Sequence, residues 1–129
     1  MAVRYNISSF LSIPEKVKLA TENLILDSPS PLFPILPITY FSAASFPLAF
    51  PTVVACGFGW PQLGLGVEGV NSRLGRWLVE CFVNKTKDAA QGDDKQPMAI
   101  RGWTFLDFYA DPEGSAVVPL LIECNFIDR

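Results

Sequence analysis

The chain has 129 residues, half of them apolar and 18% charged, with a formal net charge of −3 and no histidine. That length suits one domain spanning residues 1–129, expected to bury roughly two thirds of the surface its unfolded chain exposes. The charge balance provides no basic field for a phosphate backbone, which disfavours specific nucleic-acid binding, and the lack of histidine excludes a His-dependent triad within one chain.

Residues 1–11 are short and mixed and are expected to form an arm, with no apolar core long enough for a signal peptide, so the chain is expected to stay in the cytoplasm where it is made. The sequon matches Asn6-Ile7-Ser8 and Asn84-Lys85-Thr86 then count as chance. Ser12-Ile13-Pro14-Glu15 predicts a helix start: Ser12 can cap, Glu15 can reach back, and Pro14 fits the first turn. The helix should run to about Leu26, with Ile13, Val17, Ala20 and Leu24 on one face and Glu15, Lys18 and Glu22 in water. Asp27-Ser28-Pro29-Ser30-Pro31 ends it, because each proline biases its predecessor away from the helical region.

Leu32 to Trp60 carries no charge, but Pro34, Pro37, Pro47 and Pro51 cut it into pieces too short for a membrane-spanning helix. Only short extended pieces such as Ile35–Phe41 are expected there, packed against a sheet or a neighbouring subunit. Thr52–Phe58 is β-branched and predicts a strand that bends at Gly57 and Gly59. Gln62–Ser72 predicts a weak strand or long hairpin loop, with Leu63, Leu65 and Val67 alternating. Its Gly64-Leu65-Gly66-Val67-Glu68-Gly69 matches a dinucleotide-binding pattern, but such a turn must open a helix, and the residues after it predict a strand.

That strand is Leu74–Val83, with Trp77, Val79, Cys81 and Val83 on one face and a partly apolar second face. Residues 85–97 are the most polar stretch and predict a mobile surface loop, with at most a helical turn at Thr86–Gln91. Asp93 and Asp94 lie in it as solvated residues rather than a metal site. From Arg101 the chain predicts a hairpin: Trp103, Phe105, Phe108 and Tyr109 supply β-favouring bulk, Asp111-Pro112-Glu113-Gly114 turns, and Val117–Ile127 returns. Val118, Leu120, Ile122, Cys124 and Phe126 would form its buried face.

The expected fold is therefore α+β: an N-terminal amphipathic helix packed on a mainly antiparallel sheet closed by a C-terminal hairpin. Cys56, Cys81 and Cys124 are too far apart for a Cys-only zinc site and are expected to be buried free thiols. An enzyme would draw on Asp107, Asp111, Glu113 and Glu123, but each has a simpler account in a turn, on an outer strand face, or, for Asp107, in a structural pair with Arg101 or Arg76. No catalytic residue, cofactor or metal is expected.

Pro51-Thr52-Val53-Val54 entering a strand, and Arg101-Gly102-Trp103-Thr104-Phe105 leading through Asp107-Phe108-Tyr109 to a turn and C-terminal strand, resemble the tail-terminator family of tailed bacteriophages and the related neck and tail-completion proteins. The resemblance implies a small α+β subunit that assembles into a ring, usually a hexamer, capping the tail tube and joining it to the head–tail connector in the virion. Its partners would be its own copies, the tail tube and connector proteins. Trp60, Trp77, Trp103 and Tyr109 are then candidate interface anchors, since aromatics are enriched at such contacts. The alternatives are another neck, tail or connector subunit, or a small non-enzymatic domain with a ligand pocket between helix and sheet.

Overall fold

The computed structural model describes residues 12–25, 37–44, 47, 49–91, 100, 102–110 and 116–124, with the side chains of 85–91 left aside. The expected arm, the prolines of 26–36, Asp93 and Asp94, Arg101, the turn from Asp111 to Gly114 and the end of the chain from Asn125 lie outside the described residues.

Helix α1, Ile13–Leu24, buries Ile13, Val17, Ala20 and Leu24 as its periodicity requires, and Pro14 sits in its first turn. Ser12 does not cap it, because its backbone is already helical (φ −86°, ψ −4°) and a capping side chain needs an extended residue. Strand β1, Ile38–Tyr40, falls inside the expected extended piece.

Pro51–Cys56 forms helix α2 rather than a strand. Pro51 presets φ at the first helical position, Val54 N–H donates to the Phe50 carbonyl at 3.0 Å, and burial of Val54 and Ala55 overrides the β-branched preference. Gly57, at φ 82°, ends α2 and opens β2, Gly57–Trp60. A 3₁₀ turn at Pro61–Leu63 leads into β3, Leu65–Glu68, which pairs antiparallel with β2.

Val70–Gln91 forms one long helix, α3, in place of the expected strand at Leu74–Val83 and the first half of the polar loop. Val70, Leu74 and Leu78 recur every fourth residue and are buried, whereas Val79 and Val83, on the inner face of the strand reading, are exposed. Strand β4, Trp103–Phe105, pairs in parallel with β1, Ile38 opposite Trp103 and Tyr40 opposite Phe105.

Val117–Glu123 is helix α4 rather than the return strand of the expected hairpin. The segment is apolar nearly throughout and satisfies either period; its helical set Val117, Leu120, Leu121 and Cys124 packs inward while Ile122 is exposed. Pro119 falls in the first turn, where no intrahelical N–H is required of it.

The molecule is α+β in the broad sense, but among the described residues the expected mainly antiparallel sheet is replaced by two two-stranded pairs, one of them parallel. Helix α3 is the hub: α1, α2 and α4 all pack on it. Phe41, Ala43 and Ala49 complete the core.

Candidate interaction surface

The β2–β3 hairpin is built from an alternation of glycine with bulky apolar residues. Phe58 faces Val67 and Trp60 faces Leu65 across the pair, while Gly59 faces Gly66. Gly59 has φ 73°, and a Cβ there would come within 2.5 Å of the Leu65 carbonyl oxygen, so only glycine lets the strands approach. The result is a thin hairpin whose side chains stand in solvent: Trp60 is 66% exposed, Leu63 73% and Leu65 66%, with Phe58 about half exposed.

The hairpin is tied at its base. Glu68, largely buried, pairs with the Arg76 guanidinium and lies 3.7 Å from Arg73 Nε, which also donates to the Glu68 carbonyl at 3.3 Å. These contacts latch the end of β3 to the first turns of α3. Between β2 and the helices runs an open groove of about 980 Å³, walled by Phe58, Trp60, Ser72, Arg76, Val117 and Leu120.

The glycine motif lies within this hairpin. A helix does follow it directly, contrary to expectation, since α3 begins at Val70. Yet β3 runs through the motif instead of ending before it, and the Glu68 carboxylate stands beside the helix start, so no phosphate-cradling turn is formed.

A second apolar patch lies on β4 and the residues after it. Trp103 (61% exposed), Phe105, Phe108 and Tyr109 (56%) are all open to solvent. Phe105 stacks on Tyr40 with centroids 4.8 Å apart. Helix α1 holds the underlying sheet through polar contacts: Asn23 Nδ2 donates to Thr39 Oγ1 at 2.8 Å, and Lys16 Nζ donates to the Tyr40 carbonyl at 3.2 Å. Phe108 has φ 52°, a left-handed conformation that costs a bulky residue about 1–3 kcal/mol. Buried Asn71 holds it there, its Nδ2 donating to the carbonyls of Asp107 at 3.0 Å and Phe108 at 3.4 Å.

No protein-family model, curated protein or solved structure matches this chain.

Of the four aromatics singled out from the sequence, Trp60 lies in the hairpin and Trp103 and Tyr109 in the second patch, while Trp77 is half-buried against the core. Phe58, Leu63, Leu65, Phe108 and the Asn71 tether were missed, although the Gly-Phe-Gly-Trp and Gly-Leu-Gly-Val repeats could have located the hairpin. Asp107 is half-buried, and among the described residues no cation pairs with its carboxylate; of its two expected partners, Arg76 pairs with Glu68 and Arg101 lies outside the described residues. Glu123 is exposed, and Asp111 and Glu113 lie outside the described residues.

The three cysteines are half-buried rather than buried, and none is in a disulfide. Burial, aided by Cys124 and Glu80, pushes the Cys81 thiol up to about 11, which keeps it protonated and a poor nucleophile near neutral pH. Among the described residues no group of His, Cys, Asp or Glu could hold a metal ion, and no helix is long and apolar enough to cross a membrane.

Proposed function

We propose that this chain is a structural assembly subunit that acts by associating with other copies of itself. The observation that carries the reading is the exposed apolar surface: a glycine-built hairpin and a second aromatic patch, with neither β2 nor β4 carrying a charge. Contiguous apolar patches on a folded chain mark contact sites, and a patch repeated on every copy is used most simply between copies.

The finer reading is a tail terminator, a ring, usually hexameric, that caps a phage tail tube and meets the connector in the virion. It rests on the resemblance alone, and two segments that carry the resemblance, Pro51–Cys56 and Val117–Glu123, form helices where it implies strands. Another neck, tail or connector subunit fits the same surface. Light scattering on a sizing column at several concentrations tests self-association: a mass that climbs toward a closed oligomer supports it, and a monomer throughout overturns it.

The groove beside β2 favours a second reading, a non-enzymatic ligand-binding domain, because its volume is at the upper end for a small-molecule site. That reading expects a monomer or dimer whose melting temperature rises on adding a small-molecule ligand.

A further inference from the structure

We infer that one copy's β2–β3 hairpin docks on the Trp103–Tyr109 patch of the next copy, a head-to-tail contact that rests on the assembly reading and gives it its surfaces. The start of α3 holds both patches, through Arg73 and Arg76 at the hairpin and Asn71 at Phe108, but the rest of their support differs. The hairpin is held by α2 and the start of α3, whereas β4 pairs with β1, which packs on α1.

Area favours a second copy as the occupant. The hairpin side chains Phe58, Trp60, Leu63 and Leu65 expose on the order of 500 Å², and Trp103, Phe105, Phe108 and Tyr109 expose a similar area. Joining one to the other removes at most about 1,000 Å² from water, where the range of specific interfaces begins. Hairpin against hairpin would bury as much but would leave the second patch open. A single head-to-tail contact covers both, and repetition of such a contact closes into a ring when its rotation allows.

The chemistry of the two surfaces agrees. Neither β2 nor β4 contributes a charge, and Asp107, half-buried between Phe105 and Phe108, is the one charged side chain among residues 103–109. Phe108 is kept at a strained backbone angle by a buried asparagine, which fixes one side of the second patch before any partner arrives. Pre-ordering an aromatic in this way lowers the entropy lost on association.

The test uses the full chain and two double variants at exposed positions, Trp60→Ser with Leu63→Ser, and Trp103→Ser with Tyr109→Ser, each checked for native circular dichroism. Each variant alone is expected to associate more than about tenfold more weakly than the parent, as loss of aromatic anchors does. Mixed in equal amounts, they should form a dimer and nothing larger, because each supplies the surface the other lacks. Folded hairpin variants that still assemble like the parent would sink the inference while leaving the assembly reading intact. Variants that are monomeric alone and stay so when mixed would also sink it, in favour of like-with-like contacts. A parent chain that is monomeric at every concentration would remove both.

Discussion

Lys16 sits in the core-facing row of α1, only 5% exposed, and its ammonium donates to the Tyr40 carbonyl with no carboxylate beside it among the described residues. Burial lowers its pKa below 10.5. The charged form is therefore penalised in the folded state, fully so below the folded pKa, and stability should rise with pH as the group loses its proton between that value and 10.5. Replacing Lys16 by Met, which keeps the stem and removes the charge, is expected to raise the melting temperature at pH 7. The gain should shrink as pH approaches 10.5; a constant gain would mean that packing, not charge, is responsible. Asn71 offers the opposite case. Asn71→Ala leaves two carbonyls without their donor and should cost about 1–3 kcal/mol in urea unfolding. In the same variant Phe108 should relax from its positive φ, visible as a change in the backbone shifts of residues 107–109 alone.

The element that departs most from its sequence pattern is α3. Between Leu74 and Val83 nearly every second residue is apolar, but so is nearly every fourth, and Trp77, Leu78 and Phe82 blur both periods. The strand reading buries Val79 and the helix buries Leu78, so the two are separable by substitution. Leu78→Ala should cost about 2–5 kcal/mol and Val79→Ala no more than about 0.5 kcal/mol by equilibrium unfolding. Helix α1 was legible because Ile13, Val17, Ala20 and Leu24 recur at one helical period, even though Lys16 and Thr21 join the buried face and Leu19 is exposed. Strands β1 and β3 were legible because proline and glycine bound them closely. Helices α2 and α4 were not: each is short, almost wholly apolar and begins with or soon meets a proline, and contact with α3 decides its conformation. Aromatics as a class pointed toward the exposed surface, but exposure itself depends on tertiary packing, which is why Trp77 went inward and Phe58 and Phe108 outward.

For the whole molecule, the chemistry of its exposed patches determines how assembly should respond to solvent. The ion pairs linking Glu68 to Arg73 and Arg76 lie within one copy, and the proposed contact draws on uncharged side chains from hairpin and patch. Screening therefore has little to act on between copies, whereas water structure has much. Raising sodium chloride from about 0.1 to about 0.5 M should leave the oligomer mass unchanged, because the Debye length matters only to charged surfaces. Sodium sulfate should strengthen association, and cooling from room temperature should weaken it, since apolar burial loses force in the cold. Light scattering across those conditions distinguishes the two sources of attraction. An oligomer that comes apart in chloride and tightens on cooling would place charged or hydrogen-bonded groups, not the aromatic patches, between its subunits.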